Sequence, residues 1–194
     1  MLYDKDIREY LFDFLENLYG KNRIIEEKQM GRSRADVVMV TPSALYGIEI
    51  KSDADTYARL GRQVRDYDQF FDYNYVVAGT SHAMHIEEHV PDWWGIITVE
   101  LAAGVPDFYV LRKPKQNPKM KWKKKLSLLW RPELVHIQEL NGMARYKKKS
   151  KDFVVDKILE KVPLEQLQLQ LCEELFQRDY NTISDIISEF KKRS

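Results

Sequence analysis

The chain has 194 residues and a single cysteine, Cys172. A disulfide within the chain is therefore excluded, and so is a zinc site built from several thiolates. Sparse cysteine also fits a reducing compartment. No apolar run is long enough to cross a bilayer. The N-terminal stretch MLYDKDIREYLFDFLENLYG has a polar residue every few positions, so it reads as neither a signal peptide nor a membrane span. A net charge of one sign is nearly missing as well, at +1 overall. There is no internal repeat and no extended low-complexity tract. What is present, 44% hydrophobic and 31% charged residues, suits one hydrophobic core plus a smaller appendage.

The charge is small in sum but uneven. The first hundred residues lean acidic, whereas residues 112–125 (RKPKQNPKMKWKKK) contain many cations and no acid, and residues 145–151 (RYKKKSK) repeat that pattern. Such asymmetry suggests an anionic partner; a solvated charge run has the same composition.

Apolar spacing predicts an amphipathic helix over residues 4–19, with Ile7, Tyr10, Leu11, Phe14, Leu15 and Leu18 on one face and Gly20 as its stop. Strands are expected at 24–30, 36–40 and 45–51, the last two joined by a turn at Thr41-Pro42-Ser43. A second helix is expected over 53–71, then strands at 73–78, 95–99 and 108–111. This order predicts an α/β sandwich in which Val76-Val77 follow a right-handed crossover. The expected division is a core over 1–111, a basic linker or mobile loop over 112–125 and a helical region over 126–194. Helices within that region are expected at 126–140, 153–161, 164–177 and 182–192.

Residues 34–51 (RADVVMVTPSALYGIEIK) place an acid at the start of one apolar strand and Glu-Ile-Lys at the end of the next. Glu49 and Lys51 are two apart on a strand, so both point to one face, and a normally paired hairpin brings Asp36 to the same edge. Two carboxylates offer the hard oxygens that Mg²⁺ takes. A lysine beside them can hold an attacking water or stabilise a charged phosphate. The bland reading is a turn aspartate and a same-face ion pair; a charged pair at the end of an apolar strand more often marks a site.

Asp36 followed by Glu49-Ile50-Lys51 resembles the PD-(D/E)xK nuclease superfamily, and Gln63-Val64-Arg65-Asp66-Tyr67 resembles the QxxxY motif of its RecB-like branch. Small bacterial and phage members of that branch are the nearest in pattern. The resemblance covers roughly residues 1–100. It implies a restriction-endonuclease-like core, a central mixed sheet flanked by helices, with a helical C-terminal extension. It implies hydrolysis of DNA phosphodiesters with Mg²⁺ or Mn²⁺, as in restriction, repair or phage replication, in the cytoplasm of a bacterial or phage-infected cell. Asp36, Glu49 and the Ile50 backbone carbonyl would hold the metal, Lys51 would assist the water, and Gln63 and Tyr67 would shape the site. Ala35 departs from the proline of the motif's name. The family commonly adds a glutamate from the first helix or strand. Glu9 and Glu16 fall opposite the apolar face of the first helix, and alternation puts only one of Glu26 and Glu27 on the metal face, with Glu27 preferred. The alternative is a nuclease fold kept without catalysis, as a DNA-binding or inhibitory module.

Other residues have paired readings. His82 and His85 follow the fourth strand and are phosphate contacts or surface loop residues. Trp93 and Trp94 are base-stacking or core residues. Residues 134–159 resemble a SAP-type helix–extended–helix DNA-binding module, or form a helical subdomain. Lys121, Lys123, Lys124 and Lys125, with Lys147, Lys148, Lys149 and Lys151, are the expected contacts to a DNA backbone. Leu164, Leu167, Leu171 and Leu175 form a short stripe that serves as core or as a homodimer contact.

Overall fold

The computed structural model describes residues 4–30, 33–51, 57–79 and 85–178. The chain divides into two compact units, Met1–Lys121 and Trp122–Ser194.

In the first unit, helix α1 (Asp4–Tyr19) precedes strands β1 (Arg23–Met30), β2 (Ser33–Val40) and β3 (Leu45–Lys51). A 3₁₀ turn (Tyr57–Arg59) leads into α2 (Leu60–Phe70), followed by β4 (Tyr73–Gly79), β5 (Gly95–Ala102) and β6 (Val105–Arg112). The strands form one six-stranded sheet in the order β1-β2-β3-β4-β5-β6. β1–β2, β2–β3 and β5–β6 are antiparallel; β3–β4 and β4–β5 are parallel. The fold is thus α/β with a mixed sheet. The parallel β3–β4 pair requires a crossover, and α2 provides it.

Alternation along the strands sorts side chains to two faces. Ile7, Leu11 and Leu15 of α1 pack with Val37, Met39, Ile48, Ile50, Tyr75, Val77, Ile97, Val99 and Phe108 of the sheet. The intervening residues face the other side, where Leu60, Val64, Tyr67 and Phe70 of α2 are buried. β3 and β4 are covered on both faces, as central parallel strands are, so their sequences read as near-continuous apolar runs. Trp94 belongs to this second layer, fully buried, and its indole N–H donates to Asp68 Oδ1 at 2.8 Å. The Trp93 indole donates to the same oxygen at 3.1 Å.

Residues 113–121 are not a mobile linker. The N–H groups of Lys115, Asn117 and Lys121 donate to the carbonyls of Trp93, Asp72 and Gln69 at 2.9, 2.8 and 3.0 Å. The buried Asn117 amide donates to the Asp68 and Phe71 carbonyls, both at 2.8 Å. A stretch read as loose from its charge and prolines is tied down by its backbone and one asparagine, so the boundary falls after Lys121.

The second unit is helical: α3 (Trp122–Leu126), α4 (Arg131–Leu140), α5 (Lys151–Lys161) and α6 (Leu164–Gln177). The single helix expected over 126–140 is broken. Pro132 occupies the first turn of α4, a position proline favours because its missing N–H has no partner there anyway. Glu133 Oε2 accepts the Trp130 N–H at 2.6 Å to close that start. Ser150 caps α5, its hydroxyl accepting the Phe153 N–H at 3.2 Å. Leu167, Leu171 and Leu175 are buried in this unit and Leu164 is exposed, so the stripe serves as core. Arg178 is buried, donates to both Glu133 oxygens at 2.6 Å, and lies 4.2 Å from the Trp130 ring centre. The helix expected over 182–192 lies outside the described residues. No helix among the described residues is long and apolar enough to cross a membrane.

Candidate active site

The site begins where two strands part. The β2–β3 ladder runs from Val40↔Leu45 to Val37↔Ile48. At the next step side chains take over the backbone bonds. The Ile50 N–H donates to Asp36 Oδ2 at 2.9 Å, and the Asp36 N–H donates to the Tyr67 hydroxyl at 3.1 Å. An aspartate at that position opens the pair and fixes its own carboxylate between the strands.

Glu49 and Lys51 share a face of β3 with Gly47. Glu49 is 1% exposed and Lys51 6%. Lys51 Nζ donates to Glu49 Oε1 at 2.7 Å and to Gln63 Oε1 at 2.9 Å. Gln63 Nε2 donates back to Glu49 Oε1, closing a three-membered ring of contacts. The other carboxylate oxygen, Glu49 Oε2, accepts the Tyr67 hydroxyl at 2.7 Å, and the Ile48 carbonyl lies 3.2 Å from the same hydroxyl. Four residues separate Gln63 from Tyr67, so both stand on the face of α2 that meets β3.

Burial pushes the Tyr67 phenol well above its ordinary value of 10.0, and the negative charges of Glu49 and Asp36 push it the same way. Tyr67 is therefore a neutral donor, aimed at a carboxylate. The burial that makes this polar cluster costly to leave unpaired also strengthens each bond within it.

Asp36, Glu49, Lys51, Gln63 and Tyr67 thus lie in one hydrogen-bonded group. Ile50 sits between Glu49 and Lys51, its side chain in the α1-side core and its N–H on Asp36. Glu27 stays out. It has a φ of 51°, which turns the strand out of simple alternation opposite Asp36, and its carboxylate pairs with Arg34 at 2.9 Å with half its surface exposed. Glu26 pairs with Arg8 at 2.9 Å. Among the described residues no three His, Cys, Asp or Glu side chains gather as a metal cluster. Arg8 was not singled out by sequence reading, yet its guanidinium also donates to the Asp36 carbonyl at 3.4 Å. Nothing in the spacing of α1 marks it, because the contact spans 28 residues.

The expected DNA-contact lysines separate. Lys121, Lys123, Lys124, Lys147, Lys148 and Lys149 are exposed. Lys123 pairs with Asp156. Lys125 is fully buried, with its ammonium on Gln168 Oε1 and over the Trp122 ring, so it cannot contact a nucleic acid. Lys151 is half-buried and donates to the Ser127 carbonyl at 2.8 Å; burial lowers its pKa. Helices α4 and α5 are joined by residues 141–150, which form turns, with Gly142 and Tyr146 at φ of 62° and 46°, rather than an extended segment. His85 is exposed and 4.0 Å from Glu88, as a surface residue would be; His82 lies outside the described residues.

No curated protein and no solved structure matches the chain. A family model described as bacteriophage P4 protein cII matches residues 1–194, the full sequence, and the chain belongs to that family.

Proposed function

We propose that this protein is a divalent-metal-dependent nuclease acting on DNA, built on a restriction-endonuclease-like core. The observation that carries the reading is the meeting of Asp36, Glu49, Lys51, Gln63 and Tyr67, drawn from β2, β3 and α2, at the point where the β2–β3 ladder opens. A sheet that merely needed a core would not gather two carboxylates, an ammonium and an amide around a strand covered on both faces.

The donor chemistry fits Mg²⁺ or Mn²⁺. Both carboxylates are hard oxygen ligands, and Mg²⁺ is commonly held by one or two carboxylates with water and substrate phosphate completing the shell. Such an ion, when bound, polarises the phosphate and makes hydroxide available near neutral pH. The residues do the rest. The Ile50 N–H holds Asp36 in orientation. Gln63 bridges Lys51 and Glu49 and fixes their spacing. Tyr67 keeps its proton and anchors the far oxygen of Glu49. Lys51 holds its Nζ against Glu49 and Gln63, where it can position a water or face the phosphate. Lys121, Lys124, Lys147 and Lys148 are the exposed cations best suited to a DNA backbone.

The test is cleavage of linear, circular, single-stranded and branched DNA with Mg²⁺, Mn²⁺ or EDTA, by wild type and Asp36→Ala. Metal-dependent cutting that Asp36→Ala lacks supports the reading; a wild type that cuts none of these substrates sinks it.

One observation favours a second reading, a nuclease fold retained as a binding or inhibitory module. Both oxygens of Glu49 are already hydrogen-bonded, at 2.7 Å to Lys51 and 2.7 Å to Tyr67, with almost no exposed surface. Calorimetry separates the two: Mg²⁺ or Mn²⁺ heat that Asp36→Ala abolishes belongs to the nuclease, and absence of any heat with intact DNA binding belongs to the module.

A further inference from the structure

We infer a second site, specific for a nucleobase joined to a phosphate, at the opposite end of the sheet. A cavity of about 300 Å³ opens beside the first residues of β3 and β4, lined by Tyr19, Tyr46, Tyr73, Tyr75, Val110 and Lys113 among others. Its side of the sheet is the α1 side, because Tyr46 and Tyr75 alternate in phase with Ile48 and Val77 of that core. Glu49 and Lys51 lie on the other face and at the other end of β3. The cavity is therefore separate from the proposed catalytic group, and the inference does not depend on the nuclease reading.

The lining is built for a flat ring. Tyr46 stacks on Tyr73 with centroids 4.9 Å apart and planes 19° apart, and Tyr19 leans on Tyr46 at 4.9 Å. Tyr75 meets Tyr19 edge-on at 6.5 Å. Room for Tyr75 is made by Gly95, where a β-carbon would lie 2.3 Å from the Tyr75 ring. Aromatic faces of this kind accept any nucleobase by stacking.

The polar groups narrow the ligand. The Tyr19 and Tyr75 hydroxyls lie 2.7 Å apart and share one hydrogen bond. Two phenols carry two protons, so whichever donates to the other, one O–H remains to be offered to a ring nitrogen or carbonyl. Burial raises the pKa of Tyr19 and Tyr46, so these two phenols stay uncharged in neutral solution. Lys113, exposed, is the one charged group among the described residues that line the cavity. A cationic guest of the type held in aromatic cages would meet a like charge. A ring carrying a phosphate would find stacking surface, a hydroxyl donor and a cation together. The volume is at the small end for ligand cavities and suits a single nucleotide.

The shared chemistry has two sources, a free mononucleotide or one nucleotide of a single strand. Full-length protein in EDTA is titrated calorimetrically with dAMP, with deoxyadenosine and with single-stranded hexadeoxyadenylate. Wild type should bind dAMP with a dissociation constant below about 1 mM and deoxyadenosine more weakly. Lys113→Ala should weaken dAMP about five-fold, as for an exposed charge pair, and leave deoxyadenosine unchanged. Tyr46→Leu should weaken both by at least about five-fold. If the hexamer binds more tightly than dAMP and both lysine and tyrosine variants weaken it, a strand is the source; if dAMP binds and the hexamer does not, a free nucleotide is. Because Lys113 is on the surface, its variant remains informative even if Tyr46→Leu fails to fold. Absence of dAMP binding overturns the proposal, as does equal binding of dAMP and deoxyadenosine by wild type. So does dAMP binding that Lys51→Ala abolishes while Lys113→Ala does not, since the ligand would then occupy the other face.

Discussion

A β-carbon at Gly47 would stand 2.7 Å from Cδ1 of Tyr67. The same atom would be 2.2 Å from the Phe71 ring, so the absence of a side chain at this point of β3 lets α2 lie close enough for the Tyr67 hydroxyl to reach Glu49. Gly47→Ala should therefore cost about 1–3 kcal/mol by overpacking and lower any cleavage activity. Urea unfolding reads the first effect; an unchanged midpoint would show that the rings yield freely.

On the nuclease reading proposed above, Lys51→Ala should abolish metal-dependent cleavage while leaving DNA affinity within a small factor of wild type. Lys51 is 6% exposed and its ammonium sits on Glu49 and Gln63, so it has little surface with which to hold a long polyanion. Parallel loss of cutting and binding would refute the role given to it.

Arg178→Ala should destabilise the C-terminal unit by roughly 3–5 kcal/mol, the range for removing one partner of a buried ion pair. The cause is Glu133, left buried after losing two bonds of 2.6 Å. Replacing both residues by apolar ones, Arg178→Met with Glu133→Leu, should recover much of that loss. Far-ultraviolet circular dichroism during urea unfolding would check both.

Alkaline pH should weaken the fold. An unfolded tyrosine loses its proton near 10.0, whereas Tyr67 in place holds it to higher pH. Its contribution is complete below that value and declines as pH rises toward the folded one. Tyr19, Tyr46 and Tyr75 are raised too and act in the same sense. The urea midpoint should fall above about pH 10, and in Tyr67→Phe the fall should be shallower by up to about one proton.

Lys125→Ala should lower the stability of the helical unit and leave DNA affinity alone, because that ammonium is buried against Gln168 and Trp122. On the proposed DNA-binding reading, Lys147→Ala with Lys148→Ala should do the reverse and flatten the salt dependence of binding by about two charges. Filter binding across a salt series distinguishes them.

The elements legible in the sequence were those whose own pattern decides them. α1, β3 and α6 begin and end where apolar spacing and stop residues put them. So did the group around Glu49, since strand alternation and helical spacing each bring two residues to one face. What was missed needed knowledge of backbone angles or distant partners. Alternation failed at Glu27 because a φ of 51° breaks it. The β5–β6 hairpin extends further than expected because Ala103 and Gly104, with φ of 52° and 86°, make a two-residue turn. Charge and prolines mark the basic run as a linker, yet its placement is decided by backbone bonds and the Asn117 amide.

β3 carries two interleaved messages in seven residues: Tyr46, Ile48 and Ile50 are addressed to one layer, Gly47, Glu49 and Lys51 to the other. Because the period is two, losing or gaining one residue would exchange the addresses, sending two charges into an apolar layer and two isoleucines to Tyr67. Evolution of this strand is thereby confined to swapping side chains at fixed length, since any frameshift within it would erase the core and the polar group together.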